Sequence, residues 1–315
     1  MTAPGARSRP AHAFGTSDVK TTYSRHHSPI GTVAPGERFV IETVDCFSGR
    51  YREPSGFTPE NIAWVGQNLD AVTGPVAIEG AEPGMVAAVE IHSVEITTPG
   101  SVVLSRYRAP SPHDWWGEQI ACSSYVIEGG DVVFSSDLRI PVRPLIGCIA
   151  TAPEIESVRS VAQGTYGGNM DCNEIGPGAT VLLPVNAPGA LLYFGDCKAI
   201  MADGEITQPP EVGTRIEASV TLLDRPPEMS WPRVITAERL TTVVSWRSLG
   251  EATRQAFREL LLWIESSFEL TRQEAAMLLG MVAEPRICQV CNTLPTARCS
   301  VERRWLETFR ERSPT

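Results

Sequence analysis

The sequence predicts a mainly β fold, a β-sandwich followed by C-terminal α-helices. Over the first two-thirds of the chain, a Pro-Gly pair repeatedly precedes an apolar run rich in β-branched residues, as at Pro35-Gly36, Pro83-Gly84 and Pro177-Gly178. Turns require Pro and Gly, and many short strands separated by turns are typical of a sandwich. The last third of the chain instead shows helix-capping patterns and apolar residues at helical spacing.

The clearest predicted strand is Met85–Ile96. In this segment Val89 and Ile91 alternate with Glu90 and His92, as expected for a strand with one buried face. The other predicted strands are Arg38–Asp45, Thr180–Val185, Leu191–Phe194 and Arg215–Leu223.

Two capping-box patterns predict the C-terminal helices. The first, Ser248–Glu251, precedes apolar residues at helical spacing from Ala252 to Phe268. The second, Thr271–Glu274, opens a helix over Ala275–Val282. Glu284-Pro285 is expected to end this helix, because Pro disfavours α backbone in the residue before it.

Composition and charge narrow the class of protein. The chain has 315 residues, of which 42% are hydrophobic and 20% charged, as in an ordinary globular protein. The net charge of −10 and the absence of a dense Lys/Arg run argue against a nucleic-acid partner. The apolar stretches are too short to cross a bilayer, and Met1–Lys20 has no apolar signal segment. We therefore expect a cytoplasmic protein without a membrane partner.

The patterns divide the chain into three parts. Residues 1–27 are predicted to be a flexible N-terminal arm, and residues 28–247 a β-rich catalytic core. Residues 248–315 are predicted to be a helical segment that packs on the core or on a second subunit. The eight cysteines are expected to stay reduced, and Cys288, Cys291 and Cys299 are expected to serve as small buried hydrophobes. Cys288, Cys291 and Cys299 lack the fourth ligand that a structural zinc site requires.

Candidate chemistry concentrates in Gly167–Glu217. Polar residues stand two positions apart there in three pairs: Asn169 and Asp171, Asp196 and Lys198, and Asp203 and Glu205. In extended backbone, residues i and i+2 point to the same side, so each pair can direct both side chains into one cavity. Gly167 and Gly168 beside the first pair permit close approach of a ligand.

The carboxylates of this region predict a bound cation. Acidic groups buried together repel one another and require a cation, a proton or solvent. Carboxylate and amide oxygens suit magnesium, calcium or manganese, whereas zinc usually recruits a His or Cys as well. The alternative is that these are solvated turn residues, because Asp, Asn and Gly favour turns on their own account.

An ordered series of motifs in this region resembles the acetamidase/formamidase family. The central motifs are Gly167-Gly-Asn-Met-Asp171, Leu183-Pro-Val185, Gly189-Ala-Leu191, Gly195-Asp196, Asp203-Gly-Glu205 and Ile216-Glu217. Upstream, Val33–Asp45 and Thr73–Gly84 also resemble family motifs, and the similarity covers roughly residues 28–305. Several motifs in the same order are more specific than any one of them.

The resemblance implies the family's β-sandwich-like fold with C-terminal helices, a homodimer or larger homo-oligomer, and hydrolysis of a short amide to a carboxylate and ammonia. It also implies a divalent metal, which can be zinc, magnesium, manganese or calcium. The expected metal ligands are Asp45, Asp171, Asp196, Asp203 and Glu217. The expected catalytic residues are Glu205 as general base, with Lys198 or Asn169 as donor to the oxyanion. Gly167, Gly168 and Trp115 are expected to contact the substrate.

Lys198 departs from the family pattern, which has a His at this position. A neutral imidazole ligates metals, whereas a charged ammonium has three donors and no acceptor. Lys198 can therefore replace the charge of one metal or polarise the substrate carbonyl. Three interpretations follow: an amidase with one metal and Lys198, a relative acting on a larger amide or related carbonyl compound in biosynthesis, and a non-catalytic binder of a small molecule.

Overall fold

The protein is mainly β, as predicted. The computed structural model describes residues 12–104 and 121–312. The strands of these residues are β1 His12–Phe14, β2 Val19–Lys20, β3 Thr22–Tyr23, β4 Gly31–Val33, β5 Arg38–Thr43, β6 Val72–Ile78, β7 Met85–Ile96, β8 Gly100–Leu104, β9 Ala121–Tyr125, β10 Ile127–Glu128, β11 Asp131–Val133, β12 Arg139–Pro141, β13 Leu145–Ala150, β14 Val158–Arg159, β15 Gln163–Gly164, β16 Gly167–Asn169, β17 Thr180–Pro184, β18 Leu192–Lys198, β19 Glu211–Val212, β20 Thr214–Asp224, β21 Arg233–Ile235, β22 Arg239–Ser245, β23 Glu284–Gln289 and β24 Thr296–Glu302.

Three α-helices and two short 3₁₀ helices complete the described secondary structure. The α-helices are α1 Pro59–Asn68, α2 Leu249–Ser267 and α3 Arg272–Val282. The 3₁₀ helices are Pro54–Gly56 and Arg303–Trp305. Within the described parts of the chain, no helix is long and apolar enough to cross a bilayer.

Two large sheets dominate the fold. The nine-stranded sheet has the order β1-β5-β20-β7-β17-β21-β22-β24-β23. The ten-stranded sheet follows the path β15-β16-β13-β18-β19-β8-β9, and β6 joins it through β18 and carries β2 and β4. Most neighbouring strands are antiparallel, while β1–β5 and β4–β6 are parallel. Strands β10–β12 form a separate small sheet, and β3 pairs with β14.

The main hydrophobic core lies between the two large sheets. Phe39 and Ile91 come from the nine-stranded sheet, and Ile149 and Phe194 from the ten-stranded sheet, and all four are buried in one cluster. The rings of Phe39 and Phe194 meet edge to face at 6.1 Å between centroids, an arrangement that aromatic pairs favour. This interdigitation of two inner faces confirms the predicted sandwich architecture.

Strand β7 has the bounds predicted for it. Val89 and Ile91 are buried in the core between the sheets, and Glu90 between them is exposed. At the start of the strand, Val86 and Ala88 on the opposite face are also buried, because they pack in a second cluster with the helices. The alternation is therefore visible only where one face of the sheet is uncovered.

The two C-terminal helices begin at the predicted capping residues. The Ser248 hydroxyl accepts a hydrogen bond from the Glu251 amide at 3.2 Å. Thr271 and Glu274 form a complete capping box, and α3 ends before Glu284-Pro285, as expected. Helix α2 packs Leu260 and other apolar residues against β22 and β24. After α3, β23 and β24 extend the nine-stranded sheet, and the sequence patterns do not predict these two strands.

Candidate functional site

Lys198, the last residue of β18, is the centre of the site. Its side chain is fully buried, and its Nζ atom lies 2.6 Å from Asp171 Oδ1 and 2.5 Å from Asp196 Oδ2. A third bond of 3.3 Å runs to the Asp196 carbonyl oxygen. The three N–H donors of the ammonium group are thus directed at Asp171 and Asp196, and none is directed at an open space for substrate.

Two further carboxylates approach the same ammonium group. Lys198 Nζ lies 3.9 Å from Glu205 Oε1 and 3.8 Å from Glu211 Oε1. Burial by itself would lower the pKa of Lys198, but Asp171, Asp196, Glu211 and Glu205 outweigh it and hold the pKa well above its ordinary value. Lys198 is therefore a fixed positive charge at neutral pH, not a nucleophile.

Asp171 is the carboxyl group of the cluster whose charged form is disfavoured. Burial raises the pKa of Asp171 well above its ordinary value, and the neighbouring Glu205 carboxylate raises it further, although Lys198 opposes both. One ammonium cannot balance four carboxylates in a buried space. The cluster around Asp171 therefore holds a proton or requires a second cation.

Strained backbone coincides with the acidic residues of this site. Asp70, Asp171, Asp196 and Glu205 have φ angles of 57°, 47°, 51° and 38° respectively, in the left-handed region. A side chain in this region costs about 1–3 kcal/mol, and such residues cluster at functional sites. The strained backbone thus costs conformational free energy and orients these carboxylates.

Gly147 of β13 provides the space that the ion pairs occupy. A Cβ atom at this position would lie 2.5 Å from Asp171 Oδ1, 2.5 Å from the Asp196 carbonyl oxygen and 2.6 Å from Lys198 Nζ. We expect Gly147→Ala to lower the free energy of unfolding by about 1–3 kcal/mol, as overpacking does. The added methyl group would also displace Lys198 from its carboxylates.

A helical glycine provides the matched control for this substitution. Gly280 lies in α3, and a Cβ atom there would meet nothing within 4 Å. Gly280→Ala should be neutral or stabilise by up to about 1 kcal/mol, as Ala favours a helix over Gly. Urea denaturation of both variants measures the difference, and equal midpoints would contradict the assigned role of Gly147.

The three predicted i, i+2 pairs have different outcomes. Asp196 and Lys198 do point to the same side and bond to each other. Asp171 joins them, whereas Asn169 turns to Asp70, with Nδ2 donating to Asp70 Oδ2 at 2.9 Å. The Oδ1 atom of the buried Asn169 has no hydrogen-bond partner among the described residues.

Asp203 and Glu205 diverge instead of sharing one cavity. Asp203 accepts a hydrogen bond of 2.8 Å from Asn173 and lies 2.8 Å from Arg298, and these partners lower its pKa against the effect of burial. The backbone is not extended here, since Gly204 has a φ of +98° and Glu205 is left-handed too. The same-side rule requires extended backbone, so it does not hold for this pair.

Asp45 and Glu217 make contacts unrelated to Lys198. The Asp45 carboxylate accepts from the amides of Phe47 and Gly49 at 2.9 Å, and it closes a turn. Burial raises the pKa of Asp45 from its ordinary value. Asp45 also lines an open cleft of about 290 Å³ that contains no residue of the Lys198 cluster. Glu217 accepts a 2.9 Å bond from Arg38 across β5 and β20.

Three residues were expected to contact the substrate, and the structure does not support this role for two of them, Gly167 and Gly168. A Cβ atom at Gly167 would lie 2.4 Å from the Ile149 carbonyl oxygen, and one at Gly168 would lie 2.3 Å from that of Ala162. Both glycines therefore serve close backbone packing of β16 against its neighbours. Trp115 lies outside the described residues.

Sequence reasoning missed several members of the site. Glu211 lies directly opposite Lys198 in the β18–β19 ladder. Cys291 donates to Glu205 Oε2 at 3.2 Å, and Asn292 Nδ2 donates to Asp171 Oδ2 at 2.8 Å. The Cys288-Gln-Val-Cys291 spacing drew attention to this turn, but the interpretation as buried hydrophobes is wrong for the half-buried Cys291. Nothing local in the sequence marks Glu211 or Asn292.

Among the described residues, two sets of side chains offer metal-ligating atoms; within each set these atoms lie within 4.8 Å of one another. The inner donor group consists of Cys46, Asp70 and Asp196, and the outer donor group consists of Asp171, Glu205 and Cys291. Both sets combine carboxylates with a thiol, and a cation would relieve the repulsion between Asp171 and Glu205. The residues present therefore fit a divalent metal. Of the two, the outer group is nearer solvent, because the inner group is wholly buried.

Solved structures of similar overall fold include acetamidases and a predicted acetamidase/formamidase. The acetamidase from Bacillus halodurans is 29% identical, with a TM-score of 0.86 over 94% of this chain and 98% of that chain. A predicted acetamidase/formamidase from Thermoanaerobacter tengcongensis is 29% identical, with a TM-score of 0.87 over 95% and 97%. The acetamidase from Yersinia enterocolitica is 28% identical, with a TM-score of 0.84 over 96% and 95%. No curated protein matches the chain.

The sequence model described as the Acetamidase/Formamidase family matches residues 13–133 and 135–227. This match includes Asp171, Asp196 and Lys198, and it spans more than half of the sequence. The chain therefore belongs to the acetamidase/formamidase family.

Proposed function

We propose that this protein hydrolyses a small amide, of the formamide or acetamide type, to a carboxylate and ammonia with the assistance of a divalent metal. The observation that carries the proposal is the Asp171–Glu205 carboxyl pair beside the buried Lys198 ammonium. The acetamidases of similar fold support the choice of an amide substrate. The burial of the site supports a small substrate over a large one.

Asp171 and Glu205 of the outer donor group would hold the metal. When bound, a divalent metal lowers the pKa of a water ligand and polarises a carbonyl group. The residues then need to move one proton from water to the leaving nitrogen. Glu205 is the candidate for that transfer, because it is a buried carboxylate beside Asp171 that could bind the metal through one oxygen and take the proton on the other.

Lys198 acts in this proposal through its charge. Its N–H groups are directed at Asp171 and Asp196, so it orients those carboxylates and does not contact the substrate. Its positive charge offsets part of the negative charge of the four surrounding carboxylates. This differs from the role as oxyanion donor that the sequence suggests for Lys198.

The substrate would approach from the side of Cys291 and Asn292. Both residues are half-buried, whereas Asp171, Asp196 and Lys198 are almost fully shielded from solvent. The Asn292 side chain already donates to Asp171 on this side. A small amide arriving there would meet Glu205 first.

Ammonia release from short amides tests the proposal directly. We expect release from one or more members of a series from formamide to butyramide, loss of release after chelation, and recovery on adding zinc, magnesium or manganese. The relative rates along the series would rank substrates by chain length. A folded, metal-replete protein that releases no ammonia from any of these amides would contradict the proposal.

A further inference from the structure

We infer that Cys291 is a thiolate ligand of the metal held by the outer donor group, so that the site selects zinc or a similar soft ion over magnesium and calcium. The inference rests on the proposed metal-assisted hydrolysis and specifies which class of metal that site takes. Cys291 lies in the turn of residues 290–295, between β23 and β24. This turn is outside residues 13–133 and 135–227, which the family's sequence model matches.

The thiol is in direct contact with the carboxylate pair. Cys291 Sγ lies 3.2 Å from Glu205 Oε2, and ligand atoms of Cys291, Glu205 and Asp171 all lie within 4.8 Å of one another. The other oxygen of Glu205, Oε1, faces Lys198 at 3.9 Å. The Glu205 carboxylate thus lies between the ammonium on its inner side and the thiol on its outer side.

Asp171 shows the same division between its two oxygens. Its Oδ1 atom accepts from Lys198 at 2.6 Å, and its Oδ2 atom accepts from Asn292 at 2.8 Å. Both carboxylates therefore turn one oxygen towards the lysine and the other towards the turn of residues 290–295. The lysine supplies the inner positive charge, and a metal on the thiol side would supply an outer one.

Backbone hydrogen bonds fix the contact between the two segments. The Gly204 amide donates to the Cys288 carbonyl oxygen at 3.2 Å, and the Val290 amide donates to the Gly204 carbonyl oxygen at 3.1 Å. The residues next to Glu205 and Cys291 are thereby held together by main chain. Preorganisation of this kind is what a metal site requires of its ligands.

The donor set determines the class of metal. Thiolates select soft or borderline ions such as zinc, whereas magnesium and calcium take oxygen ligands. Three protein ligands and one open position are the arrangement of catalytic zinc sites. When the metal–sulfur bond forms, the S–H bond breaks and its proton passes to solvent, so binding should weaken as pH falls.

Cobalt substitution tests the ligand role without measuring turnover. Metal-free full-length protein is titrated with Co²⁺, and we expect a thiolate-to-cobalt charge-transfer band in the near ultraviolet that saturates at equimolar metal. Cys291→Ser should lose the band and bind zinc at least about 100-fold more weakly, more than the loss of an outer-shell partner costs. Cys291→His should recover zinc affinity without the band, because imidazole also ligates zinc.

Cys122→Ser is the matched control, since Cys122 is half-buried and belongs to neither donor group. Its cobalt spectrum should equal that of the wild type. A band that persists in Cys291→Ser, or cobalt binding to the wild type without a band, would overturn the inference. So would a Cys291→Ser variant that loses turnover but keeps the cobalt spectrum. A wild-type protein with the band that releases no ammonia would instead support the ligand role and contradict the proposed function.

Discussion

Lys198→Met is expected to lower the free energy of unfolding by about 3–5 kcal/mol, the usual cost of leaving buried charges without their partner. Methionine keeps the length and apolar stem of the side chain but removes the ammonium group. Asp171 and Asp196 would lose their 2.6 Å and 2.5 Å contacts, and Glu205 and Glu211 would lose the nearest positive charge. Urea denaturation followed by circular dichroism measures the change.

The loss of folding stability in Lys198→Met should become larger as pH rises. The pKa of Asp171 is raised in the folded protein, and removing the ammonium raises it further. Below about pH 4, where an unfolded Asp is also protonated, this penalty is absent. Above that pH the unfolded chain releases its proton while folded Asp171 retains it, so the variant's stability decreases as pH rises.

Two comparison variants separate charge from packing at this position. Lys20→Met removes a lysine whose partner is the exposed Asp18, and it should change stability little. Lys198→His should bind additional divalent metal, because a neutral imidazole can ligate where the ammonium cannot. An unchanged unfolding midpoint in Lys198→Met at neutral pH would contradict the structural role assigned to the ion pairs.

Glu205→Gln is expected to lower the rate of amide hydrolysis by about 10²–10⁴-fold, the usual contribution of a general acid–base residue. The amide keeps the shape of the side chain and an oxygen that can still ligate, but it cannot accept and return a proton. Added zinc should therefore not restore turnover. Ammonia release in the presence of excess metal gives the measurement.

Glu217→Gln is the matched control for Glu205. Both glutamates are predicted site residues in the sequence, but Glu217 pairs with Arg38 and lies outside both donor groups. Its substitution should leave the rate of hydrolysis near that of the wild type. Equal losses in the two variants, or normal activity in Glu205→Gln, would remove Glu205 from the proton-transfer role.

The elements that the sequence predicted well depend on local patterns. Strand β7 has the predicted bounds because Val89, Glu90 and Ile91 alternate in burial along a half-covered strand. The starts of α2 and α3 follow from capping residues within four positions of one another. Strands β23 and β24 were not predicted, because their burial depends on pairing with β22 and on cover by α2.

At the site, the expectation that residues i and i+2 point to the same side holds for one pair and fails for another. The pair Asp196 and Lys198 was predicted to share one side, and in β18 it does. Asp203 and Glu205 have the same spacing and yet diverge, because the chain between them is left-handed and not extended. The spacing of residue types in a sequence does not predict a positive φ angle at a non-glycine residue, because contacts with the surrounding structure impose that angle.

The sequence by itself determined the β-rich class, the family and the helix starts, and it predicted Asp171, Asp196, Lys198 and Glu205 as site residues. Only the tertiary structure decided which other residues join them. It brings Glu211 opposite Lys198 through strand pairing, and it brings the turn of residues 290–295 to Glu205 through backbone contacts with Gly204. Motifs record residue types in order, whereas the interaction of charges and ligands depends on distance and burial, and these arise only when distant strands meet.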